Sequence, residues 1–210
     1  MTPDRVSESA RRRLQIDWLV LQIHDASFPS DPEEDLGRGT PYSRGAERFF
    51  AWAVGQGFNA IQFGPRGMTG RGNPSPYDAT IFSRNPLDLP LSRFVERGQL
   101  SEATWKSIRD SLPPLREGIV PYPLVYDACQ RALNEIIAGA SPADRSAARG
   151  FLVDHEGWLI PDALYRVLSR QHASDSWQEW HRTEQGAFDQ RLFHPLVEHQ
   201  AAAQARFREL

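Results

Sequence analysis

Phe58-Asn-Ala-Ile-Gln-Phe63 runs directly into Gly64-Pro-Arg-Gly-Met-Thr-Gly-Arg-Gly-Asn-Pro-Ser-Pro-Tyr77. The first segment is short and apolar and predicts a strand. The second predicts a shaped loop at the strand's exit. Glycine reaches backbone angles that other residues avoid, and proline fixes its own φ while restricting its predecessor. Ordered loops at strand ends are where α/β proteins place ligand sites.

Upstream, Asp17-Trp-Leu-Val-Leu-Gln-Ile23 is a near-continuous apolar run. That pattern predicts a strand buried on both faces of a parallel sheet. Ser43 stands where it can cap a helix from Arg44 to Gly55, with Phe49, Phe50 and Trp52 among its apolar residues and Gly55-Gln-Gly57 ending it. Strand, helix and strand make a βαβ unit with a right-handed crossover. From about residue 87 the pattern is helix after helix. Helical segments are predicted near residues 87–96, from Ser101, over 122–138, from Ser141-Pro142, over 161–170, from Ser174 and over 197–210. Residues 1–15 are a polar lead-in with helical tendency. The fold class is therefore α/β, with a large helical insertion on a barrel or doubly wound core.

Composition excludes several function classes. The chain has 210 residues, 40% hydrophobic and 24% charged, with 24 Lys plus Arg against 27 Asp plus Glu. No basic excess points to a nucleic-acid partner, and Arg11-Arg12-Arg13 reads as a solvated helix end. The lone Cys129 excludes a disulfide framework and reads as a small buried hydrophobe. With no apolar leader and no membrane-length run, the cytoplasm is the expected compartment.

The loop carboxylates Asp25, Asp31, Glu33, Glu34, Asp35 and Asp78 include no pair that sequence alone sets face to face, as a glycosidase would need. Glu33 and Glu34 read as solvated, and Asp35 as a turn cap. His24 directly follows the first strand, an active-site position in a barrel, but equally suits a bond to a loop carbonyl. Asp154-His155-Glu156 is rejected as a metal cluster because adjacent residues diverge. Tyr77 beside Ser75 suits sugar binding, through an aromatic face and a hydroxyl; packing beneath its own loop is the alternative. Trp158, Trp177 and Trp180 read as core at helical spacing.

At this loop the sequence resembles the 4-α-glucanotransferases, the amylomaltases or disproportionating enzymes. Their pattern Trp-Gln-x-Leu-Pro-Leu-Gly-Pro-Thr-Gly-x-Gly-Asp-Ser-Pro-Tyr-Gln is met by Gln62, Pro65, Gly67, Thr69, Gly70, Gly72, Ser75, Pro76 and Tyr77. Phe82, Asn85 and Pro86 follow as in the family. Ile23-His-Asp-Ala-Ser-Phe-Pro29 stands for the family's Leu-His-Pro-Thr-Ser-Leu-Pro, and Glu34-Asp-Leu-Gly37 for Gly-Asp-Leu-Gly. Departures include Ile61 for Trp, Asp78 for Gln and an extra residue at Asn73-Pro74.

The resemblance implies a (β/α)8 barrel and transfer of α-1,4-glucan segments by retaining double displacement, without a cofactor. It implies an α-1,4-glucan or maltodextrin partner, with Ser75, Tyr77, Asn85 and His24 as substrate-binding candidates. The carboxylates lie in Arg-x-Asp-His-Phe-Arg, Ala-Glu-Asp-Leu-Gly and Thr-His-Asp motifs in the family, and this chain contains none of the three. The expected organisation is a lead-in over 1–16, the first βα units of the barrel over 17–86 and a helical insertion over 87–210. A whole barrel takes about 250 residues, so the chain is expected to stop before the catalytic carboxylates; the alternative is a non-catalytic glucan-binding or regulatory protein derived from the same fold.

Overall fold

The computed structural model describes residues 3–31, 33–78, 83–113 and 119–180. The predicted helix over 197–210 and the motif residue Phe82 lie outside them. Two compact units divide the chain, Met1–Ala140 and Ser141–Leu210.

In the first unit, α1 (Pro3–Leu14) precedes β1 (Val20–Ile23), α2 (Arg44–Gly55) and β2 (Ala60–Phe63). The strands pair in parallel, with Val20 opposite Ala60 and Ile23 opposite Phe63. The βαβ reading holds, and the chain is α/β. The strands are shorter than the apolar runs because Asn59 ends the ladder. Its backbone N–H still donates to Leu19 O (3.2 Å), while its side chain accepts from Leu19 N (2.8 Å) and donates to Asp17 O (2.8 Å), so side-chain bonds take over from the ladder beyond it.

The prediction of burial on both faces needs correction. Leu21, Ile23, Ile61 and Phe63 are half-buried on one face, whereas Val20, Gln22 and Gln62 are exposed on the other. The buried face is covered through Phe28, whose ring meets Phe63 at 6.0 Å and, on α2, Phe49 at 5.5 Å and Phe50 at 5.3 Å. Ser43 caps α2 as predicted, its hydroxyl accepting from Ala46 N at 3.1 Å. Such a cap is worth about 1 kcal/mol.

After the sheet come α3 (Leu91–Glu96), α4 (Glu102–Asp110) and α5 (Tyr122–Ala138). Ser101 caps α4 by accepting from Thr104 N at 3.1 Å. These helices bury Leu91, Leu100, Trp105, Ile108, Val125, Ala128, Cys129 and Ala132 together with Leu36 from the loop before α2. Each fully buried aliphatic side chain contributes about 2 kcal/mol. Cys129 is the small buried hydrophobe its setting predicted. At the basic run, Arg12 pairs with Glu8 one turn away and Arg11 Nη1 donates to Asp17 O at 3.1 Å.

The second unit is built on α6 (Pro142–His172). Ser141 and Asp144 form a capping box at its start. Residues 161–170 are helical as expected, but that helix begins before Pro161: two helical stretches meet at a kink at His155 (φ −128°). Pro161 lies inside the second stretch, where it offers no N–H to the carbonyl of Gly157. His155 lies against Phe151 (4.3 Å) and Trp158 (5.7 Å). Trp180 is buried, meets Tyr165 at 5.4 Å and donates from Nε1 to Ser174 O at 3.0 Å. No helix among the described residues is long and apolar enough to cross a membrane.

Candidate functional site

The loop leaving β2 is pinned from below. Met68 N donates to Ser83 O (3.1 Å) and Asn85 N to Arg66 O (3.2 Å), with Gly67 and Arg84 in an antiparallel bridge. Asn85 is 5% exposed and both ends of its amide are engaged. Its Oδ1 accepts from Leu87 N (3.1 Å) and its Nδ2 donates to Thr69 Oγ1 (2.9 Å). Thr69 in turn shares a hydrogen bond with the Tyr122 hydroxyl of α5. Burial holds the Tyr122 phenol above its usual pKa.

Further out, Arg71 grips Asp127 of α5 with two arms, Nε to Oδ1 and Nη2 to Oδ2, both 2.8 Å. The guanidinium holds the Asp127 carboxyl below the usual carboxylate range. The tip is bonded to itself: Asn73 Oδ1 accepts from Ser75 N (2.9 Å) and Ser75 Oγ from Tyr77 N (3.3 Å). Such side-chain-to-backbone turns shape a loop without regular structure.

This construction holds Tyr77 out, 71% exposed, with its hydroxyl 3.2 Å from His24 Nε2. The two rings meet edge to face, centroids 5.8 Å apart at 72°. Tyr77 therefore does not pack beneath its own loop, and the partner found for His24 is a phenol. The His24 ring occupies space left by Gly64: a Cβ there would fall 2.0 Å from Nδ1. Gly64→Ala is expected to turn His24 off Tyr77 and cost about 1–3 kcal/mol. Loss of the nuclear Overhauser contact between the two rings would register this, and its survival would refute it.

Two largely buried ion pairs lie nearby in the fold, one of them formed by Asp25, the residue after His24. Arg66 Nε donates to Asp25 Oδ2 at 2.6 Å, and Arg66 Nη2 to the Tyr42 hydroxyl. Arg38 Nη1 donates to Asp88 Oδ1 at 2.6 Å, while Thr40 Oγ1 donates to Asp88 O. The other loop carboxylates also have partners. Asp31 pairs with Arg48 and Glu33 with Arg109, both at 2.9 Å, and Asp78 accepts from Asn73 at 3.2 Å. Asp35 accepts from Ser30 Oγ, Asp31 N and Gly37 N and is the turn cap the sequence suggested. Burial nevertheless raises its carboxyl above the usual range. Glu34 is a correction. It is 2% exposed, not solvated, and accepts from Arg44 N in the first turn of α2. A carboxylate is favoured there by the unpaired N–H groups and the helix dipole.

The structure thus brings His24 and Tyr77 together, sets Ser75 in the turn that aims Tyr77, and places Asn85 underneath as a brace. Sequence reasoning missed the Asp25–Arg66 and Arg38–Asp88 pairs. A signal was present for the first: the family pattern has Pro and Leu where this chain has Asp25 and Arg66.

A protein-family model described as 4-alpha-glucanotransferase matches residues 23–207. The chain belongs to the 4-alpha-glucanotransferase family. A search of curated proteins gives no match. The matched range of this 4-alpha-glucanotransferase relative begins one residue before His24 and takes in the loop, its Asn85 brace and both buried ion pairs.

Proposed function

We propose that this chain binds α-1,4-glucan or maltodextrin on the face formed by His24, Ser75 and Tyr77, as the substrate-holding part of a 4-α-glucanotransferase. The exposed Tyr77 ring, fixed edge-on to His24, carries this reading. An immobilised aromatic face packs on the C–H patches of a sugar, and adjacent N–H and O–H groups take its hydroxyls. Asn85 contributes by holding the loop to Thr69. In this reading residues 17–86 are the first βα units of a (β/α)8 barrel, residues 87–210 a helical elaboration, and the cytoplasm the working compartment.

Retaining transfer needs an Asp nucleophile and a Glu acid/base about 5–5.5 Å apart. The described loop carboxylates are tied to structural partners, and the family's three carboxylate motifs do not occur in these 210 residues. The chain by itself is therefore a glucan binder without transferase activity. Titration with maltoheptaose should show saturable binding that Tyr77→Ala weakens by about tenfold, the loss of one stacking contact. Incubation with maltotriose should yield neither glucose nor longer maltodextrins. Clear product formation would place the chemistry inside this chain and overturn that part of the reading.

A further inference from the structure

Arg66 has only part of its donor fork committed. Nε is held by Asp25 and Nη2 by Tyr42, and the guanidinium carbon lies 4.9 Å from the Phe63 ring centroid and 5.3 Å from that of Tyr42. The side chain keeps 19% exposure, and among the described residues no acceptor meets Nη1. A guanidinium is planar, so fixing two nitrogens fixes the direction of the third. Its donors are thus ordered before any ligand arrives, which removes much of the entropy cost of binding. Asp25 compensates the charge of Arg66, and Arg38 compensates that of Asp88 beside them. Aimed donors with no net charge suit a neutral polyol better than an anion.

The surroundings fit that chemistry. Tyr42, beside Arg66, is 50% exposed, and the His24–Tyr77 pair begins at the residue preceding Asp25. Three departures from the family pattern meet here. Asp25 stands for Pro, Arg66 for Leu, and Gly64 for a second Leu. The first two have become opposite charges in contact, and the third has opened the space that His24 fills.

We infer that Arg66, oriented by Asp25 and Tyr42, is a specificity-determining residue that donates from Nη1 to a hydroxyl of a bound neutral glucan. The inference rests on the glucan-binding reading above. It is tested by titrating maltoheptaose into the whole chain and into Arg66→Lys, which keeps a cation for Asp25 but lacks the second arm. The double variant Asp25→Asn with Arg66→Leu removes the arm without stranding a buried charge, and decides the matter if Arg66→Lys does not fold. Both should weaken binding by about tenfold or more, as expected for a charge-assisted hydrogen bond, while melting cooperatively. Wild-type affinity in both, with affinity lost in Tyr77→Ala, would overturn the role of Arg66 and leave the glucan reading standing. No binding by the wild type would overturn both. Inorganic phosphate binding that depends on Arg66 and fades with salt would overturn the neutral-ligand assignment.

Discussion

Alanine at position 39 is expected to cost residues 1–140 about 4–5 kcal/mol, a large share of the roughly 5–15 kcal/mol that stabilises an ordinary domain. Gly39 has φ +23°, which L side chains rarely adopt, and a Cβ there would fall 1.8 Å from Phe28 O. The obstacle is backbone, so no rotamer change relieves it. Nor can that backbone step aside. Phe28 is 3% exposed, its ring is fixed among Phe49, Phe50 and Phe63, and the next residue is a proline. On the other side, a Cβ at Gly45 would lie 2.7 Å from Pro29 O. The Phe28-Pro29 segment is thus threaded between two glycines, one in the loop and one in the first turn of α2. Gly45→Ala, with the longer approach, should cost about 1–3 kcal/mol. Urea denaturation followed by circular dichroism checks both values. If Gly39→Ala kept a urea midpoint within about 0.5 M of the wild type, the close approach of residues 28 and 39 would be wrong.

That glycine pair shows where sequence reading stops. Local signals carried the helices: Ser43, Ser101 and Ser141 each announce a cap whose geometry depends only on residues three positions on. The parallel pairing of the two strands followed from the helix between them. The burial of the strands did not, because an apolar run says what a segment can tolerate, and what covers it is decided elsewhere in the chain. Phe28 covers one face and exposes Val20 on the other. The same limit governs the site. Ser75 and Tyr77 were legible because the Gly/Pro loop and its motif are contiguous. Arg66 meeting Asp25 across 41 residues, and Arg38 meeting Asp88 across 50, were not legible, since charge pairing at that separation leaves no periodicity. Glu34 was misread for a related reason. Its polar neighbours suggest solvent, but the acceptor role it fills belongs to a helix start ten residues later.

Arg38→Leu is expected to destabilise residues 1–140 by about 3–5 kcal/mol at neutral pH, because it strands a buried carboxylate. Arg38 and Asp88 are 10% and 6% exposed and meet at 2.6 Å. Asp88 lies in the turn Pro86–Asp88, where the chain passes from the loop after β2 to α3, so its place is fixed by the path of the backbone. Burial holds its carboxyl above the usual range; Arg38 pulls it down, Asp25 adds to the rise and Arg66 opposes it.

The sign of the pH dependence follows from this. A carboxyl whose pKa is raised on folding is protonated more readily folded than unfolded. Its penalty is absent below the usual carboxylate range, grows as pH rises through that range, and is complete above the folded pKa. Removing Arg38 removes the influence that most opposes the rise, so the penalty deepens. The stability gap between Arg38→Leu and wild type should therefore narrow as pH falls from about 7 to about 4.5. Asp31 and Asp127 have lowered pKa values and lose their contributions on acidification, but they do so in both proteins and cancel in the difference. Asp88→Asn in the Arg38→Leu background should recover part of the loss at neutral pH and flatten the dependence. A gap that stays constant across this range would mean that the lost packing of the arginine stem, rather than the stranded charge of Asp88, sets the cost.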